Sequence, residues 1–206
     1  MSGAARRNRC PGGTPSGSPP RRSRKKASLP RSSTSAELEE RLLRDRIVFL
    51  GTPINDEVAN RVVAQLLFLE NQNPTEDIRL YLNSPGGSVT AALAICDTLE
   101  QVKPDVSTIC VGQCSGMAVL LLALGERGKR FATADARFML TPMTGGRPED
   151  APMMERIRQN FAERLARATN QRVDQVLRDC EEERLMGARE AVHYGLVDEV
   201  VERPRV

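Results

Sequence analysis

The sequence has a single histidine, His193, and its first acidic residue is Glu37. No apolar run is long enough to span a bilayer and no secretory apolar segment follows the first residue, so we expect neither a membrane-spanning helix nor a secretory signal. The cysteines, at positions 10, 96, 110, 114 and 180, show neither zinc-site nor disulfide-framework spacing. We therefore expect a protein of a reducing compartment that has no metal, no cofactor and no membrane partner.

The amino-terminal stretch, residues 1–36, differs in composition from the rest of the chain. It contains nine basic residues and no acidic residue, which leaves 21 basic and 27 acidic residues in the remainder. Because the basic character belongs to this extension, we expect no nucleic-acid-binding domain. The lack of large apolar residues predicts that the extension is disordered. Its Arg-rich and Ser-rich composition also suits an organelle transit peptide, or a basic tail that binds an acidic partner.

The remaining chain is predicted to form one domain over residues 37–203, followed by a short tail at 204–206. The predicted strands are 46–50, 78–82, 106–111, 130–132, 137–140 and 196–201. The predicted helices are 35–44, one to about residue 70 capped by Asn55 or Asp56, 89–101 capped by Ser88, 151–167, 173–182 and 188–193, besides one after residue 116. We interpret 130–132 and 137–140 as a hairpin, and 144–146 as a turn. The alternation of strands and helices predicts the α/β class, with mostly parallel crossover connections.

The stretch 110–124 is the most informative part of the chain. It begins as an apolar strand, which we predict to break at Gly112, and continues as a run that is apolar on every side and therefore typical of a buried helix. A sharp turn from a strand into a buried helix directs backbone N–H groups at the helix start, and in enzymes it often carries a nucleophile. The residue at this elbow is Ser115 or Gly116, depending on the register.

Seven stretches carry a resemblance to a known family: residues 46–51, 55–60, 64–70, 81–91, 103–113, 128–132 and 194–200. Over about residues 41 to 203 the sequence resembles ClpP, the proteolytic subunit of the Clp protease. This resemblance implies a ClpP/crotonase-type α/β fold, a single domain of stacked sheets with helices. It also implies stacked heptameric rings that enclose a chamber fed by an unfoldase ATPase.

The ClpP family uses a Ser-His-Asp triad, and the resemblance places other residues at all three positions. The text Gly112-Gln-Cys-Ser-Gly-Met117 puts Gly116 at the nucleophile and Ser115 one residue early. Thr141 stands at the histidine position and Glu183 at the aspartate position. Threonine cannot accept a proton near neutral pH as an imidazole can.

The resemblance matches the backbone positions of the family's site more closely than its catalytic side chains. Gly87 and Met117 match the positions whose N–H groups form the family's oxyanion hole, so binding of a carbonyl group is still expected. His193 lies before the last strand, where we expect a lone exposed side chain.

Three further departures concern assembly. The helix after residue 146 is about two turns shorter than the family's handle helix, and Glu182 replaces an arginine that helps to join the rings. In the family's ATPase-docking pocket Tyr81 is kept, whereas Arg79 and Gln101 stand where aromatic residues are usual.

These residues predict a non-catalytic subunit, similar to ClpR-type subunits, that shapes a mixed ring with active ClpP paralogues and meets a Clp ATPase through the other subunits. One alternative is an endopeptidase with a changed mechanism that uses Ser115, Cys114 or Thr141. Another is a stand-alone scaffold or binding protein derived from ClpP. We expect a cytoplasmic location, with the plastid stroma as the alternative if residues 1–36 are a transit peptide.

Overall fold

Parallel strands joined by helical crossovers make up most of the computed structural model, which describes residues 35–143 and 151–201. The strands are β1 Ile47–Leu50, β2 Ile78–Ser84, β3 Val106–Ser115, β4 Arg130–Thr133, β5 Arg137–Met139, β6 Leu185–Gly187 and β7 Glu199–Val201. The helices are α1 Ser35–Arg44, α2 Asp56–Gln72, α3 Val89–Gln101, α4 Met117–Ala123, α5 Ala151–Thr169, α6 Val173–Glu181 and α7 Ala188–Tyr194. No helix within the described ranges is long and apolar enough to cross a membrane.

Local capping explains where the first two crossover helices begin. Asn55 precedes α2, and its side chain accepts a hydrogen bond of 2.8 Å from the amide of Val58. Ser88 precedes α3 and accepts one of 3.3 Å from the amide of Ala91. Each bond satisfies an amide that has no partner inside the helix. Of the two predicted caps of α2, Asn55 and Asp56, the structure uses Asn55, and the predicted cap Ser88 is confirmed.

The sheet is built around β3, which has ten residues and is the longest strand. The main order is β1-β2-β3-β4-β7, with all these neighbours parallel, and β5 also pairs with β3. The first half of β3 pairs with β4 and the second half with β5, while β6 runs antiparallel to β5. The α/β class with mostly parallel connections is therefore confirmed, and the predicted stacked layers are joined into one branched sheet.

Two local predictions are wrong. Strand β3 does not break at Gly112 but continues to Ser115, because a bulge absorbs the irregular residues: Leu82 faces Cys110 and Ser84 faces Cys114. The predicted hairpin also does not form, since β4 and β5 each lie parallel to a different segment of β3.

One element and one element end differ from expectation. Strand β6 was not predicted, because three residues are too short for a recognisable alternation. Strand β7 begins at Glu199 rather than at residue 196. Helix α1 begins at Ser35, so the predicted boundary at residue 37 lies inside a helix. The rest of the predicted disordered extension, the turn at 144–146 and the tail at 204–206 lie outside the described residues.

The core lies on one face of the sheet. Helix α4 is buried along its whole length, and the stripe of α2 formed by Val58, Val62, Leu66 and Leu69 packs into the same core. One inward-facing row of paired residues on four adjacent strands is fully buried: Leu50, Leu82, Cys110 and Ala132. Paired residues of neighbouring strands point to the same face of a sheet. The position of α4, which begins at the elbow, is thus fixed by burial on every side.

Candidate functional site

Gly116 is the residue at the strand-to-helix elbow. Its φ of +53° and ψ of −124° place it between the end of β3 and the start of α4. Its amide donates a 3.0 Å hydrogen bond to the carbonyl of Met139, and its carbonyl accepts one of 3.0 Å from the amide of Val119. Ser115 is the last residue of β3 and pairs with Met139. Of the two elbow residues left open by the sequence, the geometry therefore selects Gly116.

Thr141 faces the elbow directly. A β-carbon built on Gly116 would lie 2.9 Å from the Thr141 hydroxyl oxygen. Thr141 is half-buried and follows β5, which pairs with the last residues of β3. Pairing of β5 with β3 thus brings residue 141 to residue 116.

Glu183 lies in the turn before β6, the strand that pairs with β5. Met139 faces Leu185, and the amide of Leu140 donates a 3.0 Å hydrogen bond to the carbonyl of Arg184. The paired residues of β6 begin at Leu185, so Glu183 precedes the ladder. Glu183 is exposed and has a φ of +51°. The structure therefore brings together residues 116 and 141, whereas no contact of Glu183 with either residue is found among the described residues.

The glycine loop after β2 packs against the elbow. A β-carbon on Gly86 would lie 2.7 Å from the carbonyl oxygen of Ser115 and 3.5 Å from the amide nitrogen of Met117. Gly86 has a φ of +92° and Gly87 a φ of +148°, conformations that glycine adopts most readily. Glycine is thus required here both for conformation and for close approach.

The two amides expected to form an oxyanion-type pair lie on this loop and on this elbow. Met117 is the first residue of α4, so its amide has no acceptor within the helix. Gly87 bridges to Ile54 through its neighbours: the amide of Ile54 donates to Gly86, and the amide of Ser88 donates to Ile54, both at 2.8 Å. The amide of Gly87 itself therefore faces away from Ile54.

Cys114 is poorly suited to act as a nucleophile. It is fully buried, as is Cys110. A hydrogen bond with the Cys110 thiol and burial both raise the pKa of the Cys114 thiol well above its ordinary value. Because the thiolate is the reactive form, the local structure suppresses rather than promotes its reactivity.

His193 belongs to a different part of the surface. It is exposed on α7, and its Nδ1 lies 2.7 Å from the carbonyl oxygen of Arg189 on the same helix. The expectation of an exposed side chain is confirmed. No cluster of three or more His, Cys, Asp or Glu side chains that could hold a metal ion is found among the residues the structure describes.

Asp179 is a residue whose importance sequence reasoning missed. It is buried and accepts hydrogen bonds from the Tyr194 hydroxyl at 2.8 Å, Arg184 Nη1 at 3.0 Å and Gln175 Nε2 at 2.9 Å. Burial and this hydrogen bond raise the pKa of Tyr194. The amide of Arg184 also donates to the Asp179 carbonyl, at 3.0 Å. These hydrogen bonds hold the turn that contains Glu183. Sequence reasoning misses Asp179 because its buried partner, Tyr194, lies 15 residues further along the chain.

The face of the sheet opposite the core carries an apolar row. Phe49, Tyr81, Ile109 and Phe131 occupy matching positions on four adjacent strands, and all of them are half-buried or exposed. Arg79 lies beside this row and donates a 2.9 Å hydrogen bond to the carbonyl of Asp45, whereas Gln101 is exposed at the end of α3. We call Phe49, Tyr81, Ile109 and Phe131 the outer apolar row.

Comparison with known families gives a match over most of the chain. The model of a family described as Clp protease matches residues 30–204. The matched segment contains every element of the described structure, the elbow and the outer apolar row.

Proposed function

Because the chain belongs to the Clp protease family, we propose that it is a non-catalytic subunit of a Clp protease complex. Members of this family normally assemble into oligomeric rings. In our proposal the chain occupies places in a heptameric or double ring beside active ClpP paralogues, and a Clp ATPase docks mainly through those other subunits. The observation that carries the proposal is the elbow, where the residue at the turn has no side chain and faces a threonine.

The missing chemistry is the activation of a nucleophile. A serine hydroxyl attacks a peptide only when a neighbouring base removes its proton, and an imidazole serves this purpose near neutral pH. Here residue 116 is glycine, residue 141 is threonine, and the histidine of the chain is exposed on α7. Glu183 then has no imidazole to orient. Amides of the kind expected at Gly87 and Met117 supply only part of the rate enhancement of such enzymes.

The alternative of a changed mechanism has less support. Cys114 is buried and the pKa of its thiol is raised. Ser115 lies within β3, one residue before the turn. Successive side chains of a strand point to opposite faces of the sheet, so Ser115 is not directed like a residue at the elbow.

Assembly with other subunits is supported by two exposed apolar surfaces. One is the outer apolar row, in which Phe49 is 51% exposed. The other lies on α2, where Leu67 is 50% and Phe68 48% exposed, outside the buried stripe of that helix. Apolar patches on a folded chain mark interaction sites. Two different patches on one chain suit head-to-tail contacts of the kind that close a ring.

The test is to purify the tagged full-length chain from its own host, to determine the composition of the complex by native mass spectrometry and to treat it with a fluorophosphonate probe. We expect a large ring that contains an active ClpP subunit, with the probe bound to that subunit and absent from this chain. Recovery of a monomer, or of a homo-oligomer without such a subunit, would instead favour the stand-alone scaffold. Labelling of this chain that disappears in Ser115→Ala would refute the non-catalytic assignment.

A further inference from the structure

Thr141 occupies the space into which a β-carbon at residue 116 would project. Heavy atoms in van der Waals contact lie about 3.5 to 4.0 Å apart. A β-carbon at residue 116 would lie 2.9 Å from the Thr141 hydroxyl oxygen, which is shorter than this range. Any side chain at residue 116 would therefore begin inside the volume that Thr141 occupies.

The backbone that leads into Thr141 is fixed by two hydrogen bonds. Leu140, immediately before it, is fully buried, and its amide is bonded to the carbonyl of Arg184 at 3.0 Å. Two residues before Thr141, the carbonyl of Met139 accepts the amide of Gly116 itself, at 3.0 Å. The segment that carries Thr141 is thus tied to both β6 and the elbow. Threonine is also branched at its β-carbon, which restricts its side-chain rotamers.

We propose that Thr141 is a positioning residue of the elbow: its side chain fills the space into which a side chain at residue 116 would project, and Gly116 and Thr141 form one coupled pair. The residue at the nucleophile position, Gly116, and the residue at the base position, Thr141, then depend on each other for space. A serine placed at residue 116 alone would meet the Thr141 hydroxyl rather than an open cleft. Gly116→Ser alone would therefore not restore peptidase activity.

This inference uses the structure of the elbow and goes beyond the proposed function, because it concerns the space available at residue 116. The two ideas can fail separately. Probe labelling of the native chain would refute the non-catalytic assignment and leave the steric pair in place. Independent effects of changes at residues 116 and 141 would refute the pair and leave the proposed function unaffected.

The first test is a mutant cycle on the full-length chain. Gly116→Ala adds only a β-carbon, and its cost is measured as the drop in Tm in three backgrounds: native Thr141, Thr141→Ala and Thr141→Val. The positive φ of residue 116 penalises alanine equally in all three, so it cancels in the comparison. We expect the drop to be larger by on the order of 5 °C with native Thr141 than with Thr141→Ala, because only the former is overpacked. Thr141→Val keeps the bulk without the hydroxyl and should behave like the native residue.

The second test measures the space itself. Gly116→Cys is introduced together with Cys10→Ser, since Cys96, Cys110, Cys114 and Cys180 are all buried. We expect iodoacetamide to alkylate the introduced thiol on the order of tenfold faster with Thr141→Ala than with native Thr141 or Thr141→Val. Equal alkylation rates in the three backgrounds, or equal Tm drops in the first test, would overturn the proposal. If Gly116→Cys fails to fold, the alanine cycle still decides.

Discussion

At the scale of single residues, Asp198 fixes the approach to β7. Its carboxylate accepts hydrogen bonds of 3.0 Å from Arg130 Nε, 3.0 Å from the Arg130 amide and 2.7 Å from the amide of Gly128. Burial alone raises the pKa of Asp198, but the hydrogen bonds and charge of Arg130 outweigh it, and the pKa lies below its ordinary value. Arg130 is itself buried and also donates to the carbonyl of Ala168 at 2.9 Å.

The lowered pKa predicts a pH-dependent stability. A carboxyl whose pKa is depressed by folding contributes stability that is fully present above its unfolded pKa of about 3.9 and is lost as the pH falls through the folded value. We expect Asp198→Asn to lower the free energy of unfolding by about 2 kcal/mol at pH 7, the usual cost of losing hydrogen bonds to a charged group. The difference from the native chain should shrink below about pH 4, as measured by urea denaturation.

Asp174→Asn is the matched control for that measurement. Neighbouring Arg172 lowers the pKa of Asp174 as well, despite partial desolvation, and Arg178 adds to the effect. The three side chains lie on the surface, however, where ion pairs contribute little. A loss of stability for Asp174→Asn as large as that for Asp198→Asn would contradict the importance given to burial.

At the scale of secondary-structure elements, Asp179 and Tyr194 join α6 to α7. The two helices are separated in sequence by the turn with Glu183 and by β6. The Tyr194 hydroxyl donates to the Asp179 carboxylate at 2.8 Å, and the Arg184 guanidinium lies 5.1 Å from the centre of the Tyr194 ring. One network therefore ties both helices to Arg184, the residue that precedes β6.

Removal of that hydroxyl should loosen the connection without leaving a cavity. We expect Tyr194→Phe to lower the free energy of unfolding by about 1–2 kcal/mol, because a buried carboxylate loses one of its donors. The chain has one other tyrosine, which provides the control. Tyr81 is half-buried, and no hydrogen bond of its hydroxyl to any described residue is found. Tyr81→Phe should change stability by less than about 0.5 kcal/mol in the same chemical denaturation experiment.

At the scale of the whole molecule, the two faces of the sheet differ: the inner face packs against the core helices, and the outer apolar row is open. Strands lie about 4.8 Å apart, so a row across four strands extends roughly 14 Å. The opposite face of the same sheet is covered by the core helices and is fully buried at Leu50, Leu82 and Cys110. Mostly parallel sheets are usually covered on both faces, so the apolar residues on this open face are available to another chain.

Phe49→Asp tests this division. Phe49 is 51% exposed, so we expect little change in the Tm of the isolated chain. In the host, the tagged variant should be lost from the large complex, because a charge would have to be buried without a partner. Phe49→Leu keeps an apolar side chain and should still assemble. Native mass spectrometry of the two variants decides, and full incorporation of Phe49→Asp would show that the row is not an interface.

The sequence by itself determined the features that rest on residues close together in the chain, such as helix caps and the buried stripe of a helix. Asn55 and Ser88 cap their helices through amides three residues away, and the stripe of α2 follows from the helical period. The strand-helix alternation likewise predicted the α/β class. These features rest on local hydrogen bonds and periodicity, which each segment encodes independently of the others.

Contacts between distant segments were decided only by the tertiary structure. Residues 130–132 and 137–140 have the pattern of a hairpin, yet both segments pair with β3, because a ten-residue strand offers two successive parallel partners. The strand-to-helix pattern alone left Ser115 and Gly116 open as elbow residues; the family resemblance favoured Gly116, and the backbone dihedrals place the turn there. Its contact with Thr141 joins residues 25 positions apart, as β5 lies against the end of β3. Such contacts depend on where separate strands meet, which no local pattern specifies.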